Sequence, residues 1–191
     1  MIVKDIFSEV FVGYNYINSP VKDKYAKIYK TLHKDSIQYT NIISSKLVEK
    51  AFSNEIKTKY FIQSQDIIVF IKKPFRVGTI RTNKPEEIII PNNFVILRGI
   101  DSLKYHYLFV ATYLEKIGIQ KYVQDHHKEG NLTLEDIKDI PLPDISLEMQ
   151  MTIIPLLNSI NNRCAIYNDI LDNDDKIINY ALESVLGDYH D

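Results

Sequence analysis

Ile140-Pro141-Leu142-Pro143-Asp144-Ile145-Ser146-Leu147-Glu148-Met149-Gln150 is the stretch on which the reading of this chain turns. Its prolines frame an extended lead-in that cannot continue a helix. Behind it a helical pattern is sustained to Leu186. One heptad register collects Ile153, Leu157, Ile160, Cys164, Tyr167, Leu171, Asp174, Ile178, Ala181 and Val185. Only Asp174 places a charge on that seam, and a 3.5-residue repeat of this kind predicts a helix that lies along another helix. At ~1.5 Å per residue the arm reaches on the order of 60 Å, longer than a small domain needs for its own core.

Two positions complicate the arm. Pro155 is expected to kink it or open it locally. Asp172-Asn173-Asp174-Asp175 suits either of two roles: a polar defect that fixes register in one continuous helix, or a cap for a second helix from Lys176 to Leu186. The lone cysteine, Cys164, falls on the seam, where it reads as a small apolar residue; with one cysteine no intrachain disulfide can form.

Outward from the arm, the chain divides into a domain over 1–144, the helix over 145–187 and a tail over 188–191. Residues 1–144 hold 21 Lys and Arg against 17 Asp and Glu, whereas residues 145–191 hold 2 against 8. The front part therefore suits a polyanion and the arm does not. No apolar run approaches ~18 residues, and Met1-Ile2-Val3-Lys4-Asp5-Ile6 is too polar for a signal sequence, so a cytoplasmic protein with no membrane partner is expected.

Within the domain, Val3 to Gly13 reads as a strand or short helix that enters the loop Tyr14-Asn15-Tyr16-Ile17-Asn18-Ser19-Pro20. Aromatics and amides on a loop suit base stacking and base-edge hydrogen bonds, although either tyrosine ring is equally suited to tuck beneath the loop. From Tyr60 to Gly99 a β-meander is expected, with strands at Asp66–Ile71, Arg76–Arg81, Glu87–Ile90 and Phe94–Arg98. Its turns carry Lys72, Lys73 and Arg76, then Arg81, Asn83 and Lys84, a basic rim suited to phosphates and base edges. Asp101-Ser102 reads as the cap of an amphipathic helix over Leu103–Ile117 closed by Gly118, and Ile119–Val123 as a return to the core. His126-His127 lies on a polar loop without further placed ligands, so no metal is expected. Thr133 with Asp136 makes a capping-box start to a short helix. The fold class is α+β: a mixed or mainly antiparallel twisted sheet with packed helices, then a long coiled-coil helix.

The order of these parts resembles the DNA specificity (S) subunit of type I restriction-modification systems. The resemblance is carried by Pro91–Arg98, Tyr107-Leu108, Gly130-Asn131-Leu132, Leu134–Pro143 and Leu147-Glu148-Met149-Gln150. Its most specific part is Ile-Pro-Leu-Pro followed shortly by Leu-Glu-x-Gln. Gln65-Asp66-Ile67-Ile68 stands where the family commonly has Gly-Asp before a strand. Family members usually carry two recognition domains and two helices in tandem; this chain has one of each, as a half-length member would.

The resemblance implies a non-catalytic subunit that reads one half-site of double-stranded DNA. It also implies pairing of two copies as an antiparallel homodimer, or pairing with another specificity subunit. Methyltransferase subunits, and restriction subunits in the full complex, would dock on the helices. No cofactor is implied for this chain; S-adenosylmethionine is implied for the methyltransferase partner. Nothing in the sequence spells a methyltransferase, nucleotide-loop or nucleophile-elbow motif. The expected DNA contacts are Tyr14, Asn15, Tyr16, Lys72, Lys73, Arg76, Arg81, Asn83 and Lys84. The alternative is an interaction partner or decoy that reads no DNA and pairs with a full-length specificity subunit.

Overall fold

A computed structural model gives the fold and describes residues 1–15, 26–43, 46–80 and 87–187. The elements among them are β1 Phe7–Val12, β2 Lys27–Thr31, β3 Ile37–Gln38, β4 Thr40–Ile42, β5 Val48–Phe52, β6 Ile67–Phe70, β7 Arg76–Thr79, β8 Ile88–Ile89, β9 Phe94–Ile100, α1 Tyr107–Tyr113, α2 Ile119–Asp125, α3 Leu134–Lys138 and α4 Leu147–Gly187. Six strands form one sheet in the order β1-β9-β6-β7-β4-β3, antiparallel except between β4 and β7. β5-β2-β8 form a second sheet, with β8 parallel to β2. The fold is thus α+β, mainly antiparallel, with packed helices and a long C-terminal helix.

β6 and β9 are covered on both faces, which is why Ile67–Phe70 and Phe94–Leu97 read as unbroken apolar runs rather than alternating ones. Their register sets Ile67 opposite Leu97 and Val69 opposite Val95, facing Leu108, Ala111, Leu114 and Ile137 of the helices. Ile68 opposite Ile96 and Phe70 opposite Phe94 face the other way, onto Leu32, Ile62, Ile88 and Ile90. The chain therefore has one core on each side of the main sheet. Among the described residues no helix is long and apolar enough to cross a membrane.

The expected meander breaks at β8. That strand leaves the main sheet to pair with β2, and β9 returns beside β6. Ile88 packs in the second core while Ile89 packs with Phe52 and Ile56 beyond it, so burial on two sides holds β8 between the sheets. Apolar patterning marks a strand but does not choose its neighbour.

The first long helix also differs from its expected bounds. Asp101 accepts the Leu103 amide at 3.2 Å in a turn, and Leu103 is 86% exposed. Helix α1 instead starts after His106, whose Nδ1 accepts the Leu108 amide at 3.2 Å. It continues through a π-helical turn at Leu114–Gly118 directly into α2. Gly118 has helical backbone and closes nothing; a Cβ there would stand 2.8 Å from Tyr113 Cε1, so its smallness makes room for the ring. Ile119 and Tyr122 do return to the core, as helix. The capping box is present at α3: Thr133 Oγ1 accepts the Asp136 amide, and Asp136 Oδ2 accepts the Thr133 amide at 2.9 Å.

The prolines of the lead-in form an elbow held at four consecutive residues. The Ile140 carbonyl accepts the Val3 amide at 3.0 Å, and the Leu142 amide donates to the Met1 carbonyl at 2.9 Å. Tyr113 Oη donates to the Pro141 carbonyl at 3.2 Å and Tyr105 Oη to the Pro143 carbonyl at 2.8 Å. Both prolines are used as acceptors, so their missing N–H groups leave nothing unpaired. From this elbow α4 runs as one helix through Pro155, whose ring is exposed, and across Asp172–Asp175. The continuous alternative is the one adopted.

Candidate nucleic-acid interface

Strand directions bring several of the expected contacts to one rim of the main sheet. β1 ends where β9 begins, with Val12 opposite Val95, and β6 ends at Phe70 opposite both Phe94 and Arg76. Asn15, the Pro91–Asn93 turn, Lys72, Lys73 and Arg76 therefore cluster at that rim. Lys72 and Lys73 are exposed, and Lys73 Nζ donates to the Glu129 carbonyl at 3.5 Å. The loop is seated by Phe75, which packs on the first core, and by the Leu132 amide donating to the Ile71 carbonyl at 2.9 Å.

Arg76 is half exposed and stands 3.9 Å from Glu115 Oε1. Burial pushes the Glu115 carboxyl up, while the Val77 amide, donating to Oε2 at 2.6 Å, and Arg76 oppose that push. Arg76 is thus aimed by a nearly buried carboxylate on the π-helical turn. Lys128, which neighbours the same rim in sequence order after α2, is held by Asp136 at 2.8 Å.

Tyr14 is half buried, and its ring meets Tyr60 at 5.2 Å and Phe52 at 6.1 Å, edge to face. Of its two sequence readings, the tucked ring is the one the packing adopts. Asn15 is exposed and its Oδ1 accepts from Asn92 Nδ2 at 2.9 Å. Tyr16, Arg81, Asn83 and Lys84 lie outside the described residues. β7 begins at Arg76 and ends at Thr79, and a strand's ends lie at opposite rims, roughly 10 Å apart here, so Lys72, Lys73 and Arg76 share the rim at which β7 begins.

The side of the arm that meets its own domain overlaps the heptad seam only in part, at Leu157 and Cys164. Gln150, Ile154, Asn161 and Asn168 are buried, with Leu157 and Cys164 half buried between them. On the seam, Ile160 is half buried, and Ile153, Tyr167, Leu171, Ile178, Ala181 and Val185 are exposed. Sequence reading gave Gln150 only as part of a motif and missed its buried hydrogen bonds to His106, Lys104 and Ile145. Its signal was a polar residue four before Ile154, on the same helix face. His126 stacks on Tyr122 at 4.1 Å and contacts its carbonyl at 3.0 Å, and among the described residues no group of three or more His, Cys, Asp or Glu is placed to hold a metal ion.

No protein family model and no curated protein matches this sequence. Solved structures do match in fold. One is the HsdS subunit from Thermoanaerobacter tengcongensis, at a TM-score of 0.61 and 14% identity over 89% of this chain. Another is a chain from a type I R-M system studied for complex assembly and conformational transition, at a TM-score of 0.55 and 14% identity over 91% of this chain. The chain spans 43% and 40% of their lengths. At that identity the likeness is one of fold: this α+β domain, with its long C-terminal helix, has the fold seen in an HsdS subunit.

Proposed function

We propose that this chain is a DNA-reading specificity unit of a type I restriction-modification system. The observation that carries the reading is the extent of the likeness: it covers 89% of this chain, more than the domain alone can supply, and 43% of the HsdS subunit, a share that suits one recognition domain with one helix. The domain reads one half-site through Lys72, Lys73 and Arg76, helped by Asn15 and by Tyr16, Arg81, Asn83 and Lys84. Lysines hold phosphates, and Arg or Asn pairs with base edges. The exposed apolar face of the arm pairs with a second, antiparallel arm, and methyltransferase subunits dock on the paired helices and supply the S-adenosylmethionine chemistry. Two symmetric copies would read inverted half-sites separated by an unread spacer.

Sequencing methylated bases in a host with and without this gene tests the function. Loss of one bipartite methylated motif is expected; an unchanged methylome sinks the reading. One observation favours a second form of it. The arm carries far more acidic than basic residues, so two copies bring like charges together, and a different specificity subunit would be the better partner. Mass in solution separates the two: twice 22.3 kDa at micromolar concentration supports self-pairing, whereas a monomer supports the hetero-pair or decoy.

A further inference from the structure

The side chain of Gln150 is fully buried at the first turn of the arm, where both its amide hydrogens and its oxygen are hydrogen-bonded. Its Oε1 accepts the His106 amide at 3.0 Å, and its Nε2 donates to the Lys104 carbonyl and the Ile145 carbonyl, each at 2.9 Å. One side chain thereby ties the arm both to the turn before α1 and to the elbow. Eleven residues on, at nearly the same angle around the helix, Asn161 is 5% exposed. Its Nδ2 donates to Thr40 Oγ1 at 3.4 Å, and its backbone carbonyl accepts Asn41 Nδ2 at 3.2 Å. Ile154 and Leu157 fill the interval with apolar contact to the first core.

Two polar pins about 16 Å apart along a helix define its direction in a way that an apolar contact cannot. Leucine and isoleucine surfaces tolerate sliding and rotation at little cost, whereas displacing the buried Gln150 amide breaks its bonds to two carbonyls and a backbone amide at a part-buried junction. The direction matters because of leverage. From Asn161 to Gly187 the arm extends about 39 Å, so a tilt of about 5° at the pins moves its tip by one base-pair rise, roughly 3.4 Å.

We propose that Gln150, seconded by Asn161, is a positioning residue that sets the length of spacer accepted between the two half-sites, by fixing the angle at which the arm leaves its recognition domain. This rests on the specificity-unit reading above. Neither residue touches DNA in that reading; each acts through the arm.

The test has two independent readouts. In a Cys164→Ser chain, spin labels on cysteines replacing Ile28 in the domain and Asn179 on the arm report the arm angle, with excess unlabelled chain suppressing signals between copies. The parent should give one narrow distance, and Gln150→Met, which keeps the side-chain length but loses all three bonds, a broadened or shifted one. In the host, the Gln150→Met allele should methylate the same half-sites but relax the spacer, so that a preference of about tenfold or more over the neighbouring lengths is largely lost. An unchanged distance overturns the pin, and a changed distance with an unchanged spacer overturns its role in specificity. If Gln150→Met does not fold, Asn161→Ala carries both measurements: it loses the bond to Thr40 Oγ1 and keeps the backbone bond from Asn41, so a smaller change in the same direction is expected, and no change overturns the proposal. A parent allele that methylates no bipartite motif sinks the specificity-unit reading and the spacer role together, while the label distances still decide whether Gln150 fixes the arm.

Discussion

Arg98 on β9 grips Asp66 at the head of β6 through both carboxylate oxygens, Nε to Oδ1 at 2.8 Å and Nη2 to Oδ2 at 2.6 Å. The same guanidinium donates to the carbonyls of Lys59 and Phe61, at 3.0 and 2.9 Å, so one side chain ties the two central strands to the segment before them. Burial pushes the Asp66 carboxyl up, and Arg98 pulls against it. Replacing Arg98 with Met strands a carboxylate that is 1% exposed, together with two backbone carbonyls, and should cost about 3–5 kcal/mol in urea unfolding at pH 7. Without Arg98 the folded pKa of Asp66 rises further above its unfolded value, so the deficit should shrink as pH falls through the raised folded pKa values and the carboxyl becomes protonated in both folded chains. A deficit that does not change with pH would mean that the pair is not the source.

Gln65, immediately before that aspartate, has φ 65°, in the left-handed region where a side chain is strained. The glycine common at this place in the resembled family has a physical reason in this backbone. Gln65→Gly should stabilise the chain by about 0.5–1 kcal/mol, the relief of strain less the entropy glycine loses on folding. The shift in urea midpoint measures it, and a destabilised variant would show that the Gln65 side chain contributes contacts worth more than the strain.

Asp136 is the counterpart at the opposite extreme. Burial pushes its carboxyl up, but Lys128, the Thr133 amide and the Thr133 hydroxyl together pull it down to about 2. Its folded pKa is thus below the unfolded 3.8, so its stabilisation is present above about pH 4 and disappears as pH falls towards 2. With Lys128 partly in solvent, the contribution is on the order of 1–2 kcal/mol. Asp136→Asn should lose that amount at pH 7 and match the parent near pH 2.

At the basic rim, a chain carrying Lys72→Ala, Lys73→Ala and Arg76→Ala should bind its methylated motif at least about tenfold more weakly, with a salt dependence of log K shallower by roughly 2. Arg76→Ala alone should cost about 1–3 kcal/mol on the correct half-site and less on others if it reads a base edge. Fluorescence anisotropy against salt measures both, and a triple variant that binds like the parent would move the interface elsewhere.

By itself the sequence determined the fold class, the capping box at Thr133 and Asp136, the break at the prolines and the long helix after it. These are local consequences of backbone chemistry and of apolar spacing within one element. Tertiary structure decided whatever depends on which elements meet. It sent β8 to a second sheet because Ile88 and Ile89 are buried on different sides. It carried the helix through Gly118 because the Tyr113 ring needed that space, and it turned the Tyr14 ring onto Phe52 and Tyr60. The face of the arm that meets its own domain was likewise undecided by the heptad seam. Periodicity gives an apolar direction, but Gln150 and Asn161 choose the contact because buried amides must find partners, and those partners come from distant stretches of chain at Lys104–His106 and Thr40–Asn41.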